Sequence, residues 1–416
     1  MLCGTRIIGP RDRQHIHVLL RRIRGTGRLD RGWDLVLEFA VAAALVAKGW
    51  ASYLSTIFEF DDQIVLFSGL RLDWGALLII SFITALLAWG TKLSARVSLV
   101  ITVVKVTVVV LVVIVGAFYI HIANYSPFVP PAQPSGGSVE QSLLSLITGS
   151  GGSHYGWYGV LAGASIVFFT FIGFDIVATS AEETKNPQRD VPRGILGSLA
   201  LVTALYVAVV VVLTGMVRYT VLRQAGDKAN LATAFAADGV NWAADIISVG
   251  ALAGLTTVAI VVVLGQTRLW FAMSRDGLMP RWLAKTGRRG TPVRITVLGG
   301  ILVAVVASFF PVGNLDEMVN IGTLLAFVLV SAAVVQLRRA RPDLPQGFRV
   351  PCMPLLPIAS VIACVWLMLN LSVLTWIRFG VWMAAGLLIY LLYGRTHSLL
   401  GRRLRGTLIT HAIQPT

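Results

Sequence analysis

Two places in a nearly uncharged stretch of sequence hold groups that hydrocarbon tolerates only for a reason. Residues Ser98 to Gly116 read SLVITVVKVTVVVLVVIVG, with a single charge, Lys105, well inside an apolar run. An ammonium there must pair, deprotonate or snorkel. Snorkelling is open to it, because Lys105 stands only about ten residues, or roughly 15 Å of helix, from the nearer basic end. Residues Gly159 to Ile195 read GVLAGASIVFFTFIGFDIVATSAEETKNPQRDVPRGI, where Gly173 and Asp175 stand out among Ile, Val, Phe and Ala. A carboxylate in hydrocarbon costs several kcal/mol unless it faces a cavity or a partner. A helix broken near Ile172 and Gly173 would free carbonyls and amides, and such groups can hold a zwitterion. The competing reading is a plain helix kinked at Gly173 with its phenylalanines toward lipid. Asp34 and Glu38 lie four residues apart on one helix face, where they are expected to be solvated at a membrane edge and to suit a helix N-terminus. Lys48 lies deeper and needs a partner that the sequence does not name.

The elements that position these groups follow from composition. The chain has 416 residues, 56% hydrophobic and 13% charged, and its mean hydropathy is +0.77; a soluble domain of this size would aggregate. The bilayer is therefore its solvent, and the fold class is all-α. Ten segments are apolar and long enough to cross as helices. They run from 33 to 58, 72 to 89, 95 to 122, 158 to 181, 194 to 217, 242 to 271, 293 to 310, 316 to 337, 353 to 374 and 377 to 393.

A formal charge of +15 would suggest nucleic acid in a soluble protein, so the placement of the basic residues decides. The segments 92–96, 185–193, 268–294 and 338–349 carry two, three, seven and four of them, and the tail 395–405 carries four. The alternate loops hold only Arg71, Arg218, Arg223, Lys228 and Arg378. That alternation is an orientation signal, placing both termini in the cytoplasm of a multi-pass plasma (inner) membrane protein and arguing against nucleic acid as a partner. Cys3, Cys352 and Cys364 have no metal-ligand spacing, so no metal or cofactor is implied. An embedded enzyme would need a nucleophile with a base, or metal ligands, inside the spans. The chain has no H-E-x-x-H, no paired aspartates in a span and no G-x-S-x-G. A channel is harder to exclude on composition, but a broken-helix signal with a lone lysine and no ring-forming filter favours alternating access.

FIGFD and EETKNPQRDVPRGI, within 159–195, resemble the sixth helix and following loop of the cationic amino acid transporter branch of the amino acid, polyamine and organocation superfamily. The resemblance covers the chain from Gly32 to its last span. It implies two inverted five-helix repeats whose broken helices meet at a mid-membrane site, and proton-coupled uptake of an amino acid. It also implies that carbonyls of the broken segment take the substrate ammonium under an aromatic lid, which puts Phe169, Thr170, Phe171, Ile172 and Gly173 at the site. Asp175 then supports the segment without touching substrate. The resemblance makes Lys105 a titrating coupling group, with Thr256 and Thr257 on the helix that faces it. Each threonine has the alternative of bonding its own helix.

Residues 1–31 hold eight arginines and no helical period. With synonymous codons chosen freely, a one-base slip turns them into an apolar string that resembles the family's second helix and runs into GWDLVLEFA. The expectation is a frameshift just before Gly32, a permease domain over 32–394 lacking its first two helices, impaired transport, and a basic cytoplasmic tail over 395–416. A remnant that transports nothing is the alternative.

Overall fold

The computed structural model describes residues 26–58, 60–61, 63–65, 71–90, 95–133, 141–149, 155–171, 173, 186–226, 229–287, 291–340 and 352–394. In chain order the main elements are α1 (Thr26–Phe58), the strands β1 (Gln63–Val65) and β2 (Arg71–Asp73), α2 (Trp74–Trp89), α3 (Ala95–Ala117), α4 (Leu143–Thr148), α5 (Gly156–Val167), α6 (Pro187–Met216), α7 (Tyr219–Ala225), α8 (Leu231–Ala237), α9 (Asn241–Arg275), α10 (Val293–Phe309), α11 (Val312–Ala340), α12 (Leu355–Leu369) and α13 (Val373–Ile389). Among the described residues, six helices are long and apolar enough to cross a membrane, and four more apolar helices are shorter. Each overlaps one of the ten predicted spans, because an apolar run without water must satisfy its backbone internally and the helix does so; the span 158–181 is described only up to Phe171 and at Gly173. A two-stranded antiparallel ladder pairing Gln63 with Asp73 and Val65 with Arg71 interrupts the all-helical plan between α1 and α2.

Helix α1 is the axis of the bundle. In its most apolar stretch 78% of the residues are buried, against 11% in α3 and 6% in α6, so α1 is sheathed by protein while those two present their sides outward. Its run of Ala40, Ala42, Ala43, Ala44, Ala47 and Ala51, each at most 5% exposed, lets other backbones approach closely, as small residues do between membrane helices. Helices α9, α10, α11, α2 and α13 pack around it. At its N-terminal end Trp33 stacks on Trp382 at 4.7 Å. The two indoles exchange hydrogen bonds with each other's carbonyls at 2.9 and 3.3 Å. Gly386 makes room for this pair, since a Cβ there would stand 2.3 Å from Trp33.

Several expectations are corrected. Asp34 and Glu38 are not solvated but 2% and 3% exposed. The reason is that α1 begins at Thr26, before the predicted start at Trp33, so about two further turns precede them. Lys48 has its partner: its Nζ donates to Asp73 Oδ2 at 3.1 Å, both side chains being buried. Asp73 also caps α2, its Oδ1 accepting from the Ala76 amide at 2.9 Å. Pro187 opens α6, and Pro192 lies inside the same helix. Cys364 is buried as an apolar thiol would be, whereas Cys352 is exposed. Residues 1–25 and 395–416, which hold most of the arginine-rich leader and the basic tail, lie outside the described residues.

Candidate functional site

Helix α5 loses its α-helical winding inside the membrane-length apolar run. It is α-helical over Gly156–Val167, tightens into a 3-10 turn over Phe168–Phe171, and Gly173 then takes φ +116°. That angle lies in the region open to glycine and closed to most side chains. A helix that ends leaves its last carbonyls without intrahelical donors, and here neighbouring side chains supply some of them. Asn320 Nδ2 of α11 donates to the Ile166 carbonyl at 3.1 Å, and the Tyr206 hydroxyl of α6 donates to the Thr170 carbonyl at 2.9 Å. Thr170 Oγ1 donates back to Val167 at 2.7 Å. Ser165 Oγ ties the same helix to the Leu367 carbonyl of α12 at 2.9 Å.

Aromatic rings flank this turn. Phe168 meets Phe327 edge-on at 5.6 Å, and Phe171 meets Tyr206 likewise at 5.4 Å. Phe169 is partly buried against the core. Of the predicted substrate residues, Phe169, Thr170 and Phe171 thus lie in the 3-10 turn and Gly173 just beyond it. Ile172 lies outside the described residues, and so does Asp175.

Lys105 is half-buried on α3, and its stem is laid across a glycine of α9. A Cβ on Gly254 would stand 3.2, 3.3 and 3.5 Å from Lys105 Cγ, Cε and Cδ. One turn earlier on α9, Gly250 makes the same space for Val108, with a Cβ distance of 2.6 Å. Thr257 Oγ1 donates to the Gly254 carbonyl at 2.7 Å, and Thr256 Oγ1 donates to Leu252 at 2.7 Å. Both threonines therefore bond their own helix, as the alternative reading had it. Thr256 also accepts from Trp50 Nε1 of α1 at 3.0 Å, which joins α1 to α9 at the level of the lysine. No ion pair or hydrogen bond engages the Lys105 ammonium among the described residues.

The residues that sequence reasoning missed here are Asn320, Tyr206, Trp50, Gly250 and Gly254. The last two carried a legible signal, since GALAG from Gly250 to Gly254 is the small-xxx-small spacing of close helix contacts. The first three depend on long-range pairing and leave no local trace.

A family model described as amino acid permease matches residues 32–393. The methylthioribose transporter of Bacillus subtilis (strain 168) is 41% identical over 381 residues, 89% of this chain and 77% of that protein. The branched-chain amino acid permease BcaP of the same organism is 40% identical over 384 residues, again 89% and 77% of the two chains. The vacuolar cationic amino acid transporter 4 of Arabidopsis thaliana is 35% identical over 321 residues, 75% of this chain and 50% of that protein.

Proposed function

The chain belongs to the amino acid permease family, and from that premise we propose that it is a secondary active transporter that couples amino-acid uptake across the plasma membrane to protons. Both termini are cytoplasmic in this reading, following the one-sided loop charge. The observation that carries it is the change of winding at Val167 with Gly173 at φ +116°. A main chain opened there presents carbonyls that a substrate ammonium can use in a setting with few competing waters. Phe169, Thr170, Phe171, Ile172 and Gly173 form the substrate side, and Asp175 steadies the segment.

Lys105 is the coupling group, with Thr256 and Thr257 as its support. Two features favour this role over a snorkelled anchor. Its stem is held in a groove that only glycine allows, and Trp50 ties Thr256 to the central helix beside it. The aromatic surroundings of the turn suit a neutral, apolar side chain. The names of these relatives range over branched-chain and cationic amino acids and methylthioribose, so competition by each class belongs in the assay.

Transport by the chain as given is weak in this proposal. The resemblance puts a glycine-rich segment opposite the broken turn to take the substrate carboxylate, and GTG at 25–27 is flanked by arginines. Restoring the reading frame upstream of Trp33 should raise uptake at least tenfold; equal uptake by both forms would end the frameshift reading. The coupling claim is tested in proteoliposomes with an imposed pH gradient. Lys105→Met should abolish the response of labelled amino-acid uptake to the gradient, and an unchanged response would remove Lys105 from the mechanism.

A further inference from the structure

Helices α11 and α12 pack side by side, and Ser331 and Ser360 join them by a hydroxyl contact of 3.3 Å. Toward the C-terminal end of α11 they border an open groove of about 550 Å³, within the size range of ligand sites. The α11 wall is the stripe Ala332, Val335, Gln336 and Arg339. These positions, spaced at i, i+3, i+4 and i+7, share one helix face, which changes along its length from apolar to cationic. The facing wall is apolar, with Ile358 and Ile362 of α12 44% and 63% exposed.

Arg339 stands in the last turn of α11 and has no ion pair or hydrogen bond among the described residues. A guanidinium offers five donors in a fork that fits a phosphate with two bonds at once. From Ala332 to Arg339 the stripe rises roughly 10 Å, the depth over which a lipid passes from acyl chain to headgroup. A soluble anion would use the arginine and leave the isoleucine wall bare.

We propose that this groove binds one anionic phospholipid, its acyl chain along α11 and α12 and its phosphate on Arg339 and Gln336. The inference rests on reading the chain as a membrane permease with its basic helix ends in the cytoplasmic leaflet, where anionic lipids gather. Occupancy reaches the substrate turn through the walls themselves. Asn320 of α11 holds the Ile166 carbonyl and Leu367 of α12 holds Ser165, so a lipid that clamps α11 to α12 steadies both supports of α5.

The test uses the full chain purified in detergent, with thermal unfolding and native mass spectrometry in phosphatidylglycerol, phosphatidylcholine or inorganic phosphate. One phosphatidylglycerol should bind about tenfold tighter than phosphatidylcholine, and inorganic phosphate should not stabilise. Arg339→Gln should abolish the preference and leave the lipid-free midpoint unchanged. Ile362→Trp, which fills the groove from an exposed position, should weaken both lipids. Equal binding of the two lipids, a preference that survives Arg339→Gln, or no effect of Ile362→Trp would each overturn the proposal. Uptake measured on the same variants in the frame-restored chain separates the two ideas: lost lipid preference with uptake retained refers to the groove alone, and retained preference without uptake in that chain counts against the transport reading alone.

Discussion

Lys48→Met isolates one buried interaction. The Lys48 ammonium lies 3.1 Å from Asp73 Oδ2, with the two side chains 7% and 5% exposed. At that separation and an effective dielectric of about 20, the attraction is about 5 kcal/mol, most of which offsets the desolvation of the two charges. Methionine keeps the length and apolar stem of the lysine but leaves the Asp73 carboxylate buried and uncompensated, which costs about 3–5 kcal/mol. With roughly 2 cal/mol/K of unfolding entropy per residue, a chain of 416 residues should lose about 4 °C in Tm. Adding Asp73→Asn removes the stranded charge, while an asparagine can still accept from the Ala76 amide and cap α2. The double variant should therefore return to within about 1 kcal/mol of the parent. Intrinsic tryptophan fluorescence during heating in detergent reads both changes. A single variant that melts with the parent, or a double variant no better than the single, would show that the pair does not hold α1 to α2.

Gly322→Ala should cost about 1–3 kcal/mol by overpacking, because its Cβ would stand 2.8 Å from Asp34 Oδ1, on a side chain with no room to withdraw; an unchanged melting temperature would refute the contact. Gly173→Ala puts a side chain at φ +116°, a strain of about 1–3 kcal/mol; no described residue crowds that Cβ, so folding should survive while uptake falls about tenfold, and full uptake would exclude the turn as the site. Tyr206→Phe removes the donor to the Thr170 carbonyl, worth about 1 kcal/mol, and should raise KM about fivefold with the maximal rate kept; a change in rate alone would point to a role outside binding.

The order of the helices was legible because the bilayer makes a simple demand, and a run such as 293–310 can meet it in one way only. The α-helical winding of α5 ends at Val167, a few residues before the expected break at Ile172 and Gly173, and Ile172 and 174–185 lie outside the described residues. No described residue stands within 4 Å of a Cβ at Gly173, so its presence there goes with a conformation, φ +116°. What stayed hidden was burial among helices. Asp34 and Glu38 look like a solvated helix start until α1 is seen to begin at Thr26 with α9, α11 and α13 around it. Lys48 and Asp73 are separated by a whole hairpin, and no periodicity links them.

The pairing of α3 with α9 shows how the legible and hidden parts fit together. A lysine in a valine-rich helix states that some neighbour must accommodate it, and GALAG states that some helix is being approached closely. Neither segment names the other. In the structure they are the same contact: Gly250 receives Val108 and Gly254 receives the lysine stem one turn later. The Gly254 carbonyl is already bonded by Thr257, so it is a poor acceptor for the ammonium as well. The glycine seam therefore fixes where the methylenes of Lys105 run and leaves its charged end free to change partners, which is what a coupling group needs and what a structural ion pair such as Lys48 with Asp73 lacks.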